Sequence, residues 1–338
     1  MRKDMKNITI SDIAVKAGVS KATVSRVLNT PEMVEGSTRE RIESIMKEYN
    51  YTPSATARNL SKRVSSTVGV IVPEISNSFF GTLFSGIEEI TNKNGLSLLY
   101  CSNEDNEKKD RMALDLMRTQ RVRGVLYVPA ANYPAMGKKK KVQKELENLG
   151  CPVICIDRDI ELPFDTVHFD DRAAMKNAVI SLANAGHHRI AVINGNHESN
   201  VLASERYKGY LDGLREAGLE INEEMIYRGT YKQSYAYLAA KEIFQKKEQP
   251  TAVITCNNSL GKGYLQAVRE NGKADSYTHV SLDKIEMLDL LGIPHNYIER
   301  DSYELGKRAA ELLIGRIAFP EKRIQNILLE APLIRETY

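Results

Sequence analysis

The sequence predicts an α/β protein in which a small all-helical N-terminal module precedes two α/β subdomains. Three observations carry that prediction. Helical apolar spacing, punctuated by glycine and capping residues, fills residues 1–52. From Thr67 onward, short apolar strand-like runs alternate with amphipathic helical stretches, the pattern of parallel sheets covered on both faces. That alternation then runs through the chain a second time, beginning at HRIAVINGN.

The N-terminal module reads as three helices around one small core. Thr9 and Asp12 have capping-box spacing before Ile13, Ala14 and Ala17, so the first helix should start near Ile10 and stop at Gly18. Ser20 can cap a second helix, KATVSRVLN, in which Val24, Val27 and Leu28 point inward with Val19 while Lys21, Ala22, Ser25, Arg26 and Asn29 remain outside. Helix, glycine turn, helix is the arrangement that DNA-binding proteins lay in the major groove. After TPEMVEG, Ser37 and Glu40 suggest another capping box, and Ile42, Ile45, Met46 and Tyr49 recur at helical spacing. The following PSATARNLSKR is helical in pattern but shorter than the ~12–15 residues an isolated helix needs in water, so something outside it must complete its folding.

In the body, VGVIVPEI, LSLLYCSN, GVLYVPA and PVICIDR form one strand set. HRIAVINGN, EMIYRG, TAVITCN and THVSLDK form a second, with helices around residues 203–217, 233–247 and 259–271. At 338 residues, 42% hydrophobic and 27% charged, the chain can bury substantial cores. Net charge is only +3, but residues 1–63 hold 12 basic and 7 acidic side chains, so the positive charge belongs to the helical module and favours a nucleic-acid partner there. No apolar run nears the ~20 residues of a membrane span, and MRKDMKNITISD has no secretory pattern, which points to a cytoplasmic protein without a membrane partner. Cys101, Cys151, Cys155 and Cys256 sit in or beside strand-like runs and read as buried free thiols; the CxxxC at Cys151 lacks the partners of a zinc set. There is no G-x-G-x-x-G after a strand, no phosphate loop at Gly261 and no G-x-S-x-G elbow, so no enzyme, catalytic residue, cofactor or metal is expected. The pair His187 and His188 reads as loop-lining, and the run Lys138 to Lys141 as a solvated helix start.

The stretches ITISDIAVKAGVSKATVSRVLN and STRERIESIMKEYNYTPSATARNL, in that order, resemble the headpiece of the lac repressor (LacI/GalR) family of bacterial transcription regulators. IVPEISNSFF, GHHRIAVINGN, ERYKGY and SYELGKRAAELL extend the resemblance over nearly the whole chain. It implies a helix-turn-helix DNA-binding domain at 1–52, a hinge helix and linker at 53–66, and an effector-binding and dimerisation domain at 67–338 with two α/β subdomains of periplasmic-binding-protein type. The expected function is a homodimeric, sequence-specific repressor of carbohydrate-related genes on pseudo-palindromic operator DNA. Arg26, Lys21 and Ala22 would read bases, while Ser20, Thr23, Ser25 and Asn29 complete the groove-facing set, the serines and threonine suited to phosphate oxygens. By resemblance, residues Ala57, Arg58, Asn59 and Leu60 enter the minor groove beside the partner's hinge, with Leu60 as the wedge.

For the effector the resemblance points to Asp157, Arg206, Asn257 and Asp283 as hydroxyl-binding groups, with Phe79 and Phe80 at the lip of the cleft. Carboxylate, guanidinium and amide groups can together orient a polyol. A small sugar or sugar derivative is the leading class; nucleobases, phosphorylated sugars and a phosphoprotein corepressor are the others relatives use. The chain departs from the family pattern at Ser78, where N-P-F-F has proline, and at Asn258, where aspartate is usual after Asn257. SLDKIE keeps only the first aspartate, Asp283, of the common G-[FY]-D-D run.

Overall fold

The computed structural model describes residues 8–51, 65–130, 136–272 and 278–335. The hinge candidates Ala57, Arg58, Asn59 and Leu60 lie outside them. Two compact units are present, divided at Ser65 and Ser66.

The first unit holds α1 (Ile10–Ala17), α2 (Lys21–Asn29) and α3 (Gly36–Glu48), with a 3₁₀ turn at Pro31–Met33. The Thr9 and Asp12 capping box forms as expected, and Gly18 ends α1 at φ 66°, a left-handed conformation that glycine adopts without a side-chain penalty. Ile13, Ala14, Ala17, Val24, Val27 and Ile42 make the core. Three details differ from the spacing argument. The second capping box does not form: α3 starts at Gly36, with Glu35 at the cap and no side-chain cap bond, so Ser37 already lies inside the first turn. Leu28 is only partly buried. Tyr49 is 41% exposed, its ring 4.3 Å from the Lys16 ammonium, which also donates to Tyr49 Oη at 3.1 Å.

The body contains two six-stranded sheets with the same internal order. The first comprises β1 (Thr67–Val72), β2 (Ser97–Ser102), β3 (Gly124–Tyr127), β4 (Val153–Ile156), β5 (Asp165–Phe169) and β11 (Asn326–Leu329), arranged β11-β5-β4-β3-β1-β2. The second comprises β6 (Ile190–Gly195), β7 (Ile226–Gly229), β8 (Ala252–Thr255), β9 (Thr278–Leu282), β10 (Asn296–Ile298) and β12 (Leu333–Ile334), arranged β12-β10-β9-β8-β6-β7. Pairing is parallel throughout except between β10 and β12. The inner strands β3, β4, β6 and β8 are buried on both faces, as parallel strands under helices must be, while β2, β7, β11 and β12 are partly exposed. Val68, Val70 and Val72 face one helical layer while Ile71 faces the other.

The helices are α4 (Ser78–Lys93), α5 (Glu107–Thr119), α6 (Met136–Glu147), α7 (Asp171–Asn184), α8 (Val201–Glu216), α9 (Gln233–Gln245), α10 (Asn258–Glu270), α11 (Glu286–Leu290) and α12 (Ser302–Ala318). Eight strands are legible as apolar runs; the structure adds β5, β10, β11 and β12, and these are where the chain changes sheet. After β5 of the first sheet, α7 packs on α8 and β12 of the second. After β10 of the second sheet, α12 packs on α4, β3, β4 and β5 of the first. The chain crosses back once more between β11 and β12. The two halves therefore exchange a helix each.

No helix among the described residues is long and apolar enough to cross a membrane. The four cysteines are free thiols; Cys155 and Cys256 are buried as expected, whereas Cys101 and Cys151 are partly exposed. Burial pushes the Cys155 and Cys256 thiols up to about 12, so they act as small apolar groups. Lys138 pairs with Glu107 and Lys139 with Glu161, ties that pin the start of α6. His187 Nδ1 meets Thr251 Oγ1 at 3.0 Å in a loop.

The exchanged α12 touches α4 backbone to backbone. A Cβ on Gly86 would fall 2.1 Å from the Tyr303 carbonyl oxygen, and one on Gly306 2.1 Å from that of Leu83. Alanine would gain about 1 kcal/mol of helix propensity at Gly306, but no rotamer change can relieve a clash with backbone. Gly306→Ala should therefore destabilise the body by ~1–3 kcal/mol, the usual range for overpacking. Urea unfolding measures it; an unchanged midpoint would contradict the close crossing.

Candidate functional site

Two regions carry chemistry, one in each unit. On the headpiece, Ser20 caps α2 by accepting from Thr23 N at 3.1 Å, and its hydroxyl meets Thr23 Oγ1 at 2.9 Å. Asn29 Nδ2 turns back to Ser25, donating to its carbonyl at 2.9 Å and lying 3.3 Å from Oγ. Thr23, Ser25 and Asn29 are thus partly buried in local bonds, while Lys21, Ala22 and Arg26 are exposed. The exposed trio lies at i, i+1 and i+5 of one short helix, where a guanidinium can reach base edges.

In the body, a cavity of ≈ 490 Å³ opens at the carboxyl ends of the strands, where open α/β sheets place ligands. All six effector candidates, Phe79, Phe80, Asp157, Arg206, Asn257 and Asp283, line it. Their positions follow from local folding. Asn77 caps α4 by accepting from Phe79 N, which seats Phe79 and Phe80 edge to face with centroids 5.3 Å apart. Asn257 caps α10 by accepting from Leu260 N at 2.7 Å. Asp157 and Asp283 stand directly after β4 and β9, both with positive φ, 65° and 69°. Each is held there by the next strand: Asp157 N donates to Val167 O, and Asp283 N to Ile298 O. They are equivalent positions in the two sheets.

Several cleft residues escaped the sequence reasoning. Arg300 follows β10 and is 7% exposed. It donates through Nε to Asp283 Oδ1 at 2.7 Å, through Nη2 to Asp283 Oδ2 at 2.9 Å and through Nη1 to Asp157 Oδ1 at 3.0 Å. Asp171, at the start of α7, pairs with Arg300 at 3.5 Å and with Arg206 at 3.4 Å. Arg206 is 1% exposed, donates to the Cys256 carbonyl at 2.7 Å, and lies 5.6 Å from the Tyr231 ring. Arg158 grips Asp105 and the Pro129 carbonyl at the first-sheet side. The Nε atoms of Arg158 and Arg206 have no hydrogen-bond partner among the described residues. The available signal for Arg300 and Asp171 was a charged residue just past a short strand, but those strands, β10 and β5, were themselves unread.

Electrostatics bind the group together. Burial alone would lower the Arg300 pKa, yet Asp283, Asp171 and Asp157 hold it above the ordinary arginine value. Burial pushes the Asp171 carboxyl up, with Arg206 and Arg300 opposing. A carboxyl with a raised folded pKa favours folding while protonated, and that contribution is lost as pH rises through its folded value. Asp171→Asn should accordingly flatten the fall in body stability on the alkaline side of the carboxylate range, read as urea midpoints across pH 4–8. A profile unchanged from the wild type would assign the titration elsewhere. Arg206→Ala should cost more, ~3–5 kcal/mol, because it leaves three buried carboxylates facing one guanidinium.

Residues 9–54 match the family of bacterial regulatory proteins of the lacI family. Residues 65–337 match the family described as periplasmic binding proteins and sugar binding domain of LacI family. Among curated relatives, a ribose operon repressor of Haemophilus influenzae is 30% identical over 326 residues, covering 95% of this chain and 96% of the relative. The transcriptional repressor CytR of Escherichia coli is also 30% identical, covering 96% and 94%. Among solved structures, the lac repressor dimer bound to operator and the anti-inducer ONPF superposes with a TM-score of 0.83 at 24% identity over 98% of each chain. A LacI family transcriptional regulator from Enterococcus faecium with bound ribose gives 0.68 at 26% identity, covering 80% and 97%.

On the headpiece, Arg26→Ala should relax operator discrimination by ~1–3 kcal/mol if its guanidinium reads a guanine. Competition against single-base operator variants at fixed salt measures this; a uniform loss on all DNA would place Arg26 on phosphate.

Proposed function

Because this chain belongs to the LacI family of bacterial regulatory proteins, and is a DNA-binding transcription regulator, we propose that it is a cytoplasmic repressor whose operator affinity is set by a sugar or sugar derivative in the body's cleft. The observation that carries the effector reading is convergence. Side chains from separate segments of the chain, Phe79, Asp157, Arg206, Asn257 and Asp283 among them, meet around a single cavity. Their carboxylate, guanidinium and amide groups, backed by aromatic faces, suit a polyol. The relatives above are named repressors.

The functional division is residues 1–52 for operator reading, 53–66 for the hinge, and 67–338 for effector and dimer contacts. Lys21, Ala22 and Arg26 read bases; Ser20, Thr23, Ser25 and Asn29 fix α2 on the backbone, their local bonds pre-setting the geometry. Ala57, Arg58, Asn59 and Leu60 are assigned to the minor groove. For the second copy, α11 and its following turn offer Met287, Leu290 and Leu291, exposed by 62%, 86% and 62%, as an apolar patch. Met112 and Leu116 on α5 offer a matching one on the first subdomain.

Coupling requires the effector to prefer one subdomain arrangement, since equal affinity for both shifts nothing. Arg206→Lys keeps the buried charge and loses the planar fork, so it should weaken effector binding by about 100-fold, the size of one or two charge-assisted hydrogen bonds. Operator affinity without effector should stay within about threefold. Calorimetry with ribose, cellobiose and their phosphates, paired with operator titrations, tests both. A normal sugar response in the variant would remove this cleft as the effector site.

A further inference from the structure

An effector sugar donates its hydroxyl hydrogens to carboxylates, and the carboxylates facing this cavity are Asp157 and Asp283 together with the exposed Glu74 and the outer Glu104 and Asp105. Both deep ones already hold a donor, Asp283 at its two oxygens and Asp157 at one. One guanidinium, that of Arg300, donates to both oxygens of Asp283 and to Asp157 Oδ1. Asp157 ends a strand of the first sheet and Asp283 its counterpart in the second, so Arg300 spans the gap that a cleft ligand would span. It is firmly seated: its Cζ lies 4.4 Å from the Phe79 ring and 5.5 Å from that of Phe169, both of the first subdomain.

A second tie crosses at the lip. Asn258, at the start of α10, donates through Nδ2 to Asn77 Oδ1 and to Ser78 Oγ, both at 3.0 Å, at the start of α4. Ser78 and Asn258 are two of the positions where the chain departs from its family's pattern. A proline at 78 would offer no hydroxyl, and an aspartate at 258 would offer no N–H. The departures therefore contact one another.

We propose that Arg300 is a built-in occupant of the cleft, a specificity-determining residue that takes three acceptor positions on the deep carboxylates of both subdomains and so disfavours neutral polyols. With the Asn258 to Ser78 tie it holds the subdomains together through protein contacts alone. The selectivity half rests on the effector reading given under Proposed function; the tie does not. An effector that succeeds here must bring acceptors for the remaining donors, among them Lys232 and Thr230 at the cavity wall, or displace a guanidinium from two carboxylates.

The experiment uses the full chain and the variants Arg300→Gln and Asn258→Asp. Calorimetry with ribose as the neutral probe should show Arg300→Gln binding at least about tenfold more tightly than wild type, as freed carboxylates accept sugar hydroxyls. Equal or weaker binding by the variant, or no ribose binding in either protein, overturns the selectivity. Without any sugar, hydrogen exchange at the backbone of residues 157–159 and 283–285 should quicken together in Arg300→Gln, because one side chain restrains both strand ends. Exchange around Ser78 should quicken in Asn258→Asp. Quickening near Asp283 alone would show that Arg300 belongs to one subdomain and overturn the tie. Loss of sugar response in every variant, with coupled exchange intact, would count against the effector reading and leave the tie standing.

Discussion

Two guanidinium groups, Arg206 and Arg300, share three carboxylates, Asp157, Asp171 and Asp283, in a pocket of protein that leaves each of them less than a tenth exposed. Desolvating such charges is costly, and only mutual pairing with good geometry offsets it. Asp171 begins α7 and Arg300 immediately precedes α12, so both exchanged helices depart from this cluster. The cluster ties the strand ends after β4 and β9 to the starts of both exchanged helices.

The cluster has one more carboxylate than guanidinium, and burial, with Asp157 and Asp283 adding to it, pushes the Asp171 carboxyl up. Such a site is responsive by construction. A ligand that adds a donor, or a rearrangement that withdraws one guanidinium, changes the energy of every remaining pair at low effective dielectric. This is a physical route by which a contact in the cleft becomes a preference between subdomain arrangements.

Local signals in the sequence were reliable where short-range physics decides. Thr9 with Asp12, Gly18 and Ser20 bound the first two helices because capping and left-handed turns need only neighbouring residues. The eight long apolar runs became strands for the same reason. The exchange of α7 and α12 was not legible, since β5 and β10 read as DTVHF and NYI, too short or too polar to announce themselves. The six cleft residues were found through family resemblance, and the structure brings all of them to one cavity. Arg300 was missed because its importance lies in partners more than a hundred residues away in sequence, such as Asp157. Tyr49 was misplaced inward because helical spacing cannot distinguish a core ring from one that covers a lysine stem.

The exchange of helices also changes what counts as a part of this protein. Neither half of the body is a continuous piece of chain: the first subdomain is finished by α12 and β11, which are made only after most of the second, and the second borrows α7 from the end of the first. A nascent chain that has emerged only as far as β10 holds a first sheet with one face bare of α12, leaving Leu83, Ile87, Val70 and Leu126 without that cover until α12 follows. A nonsense mutation just after β10 would thus damage the half of the body that was translated first.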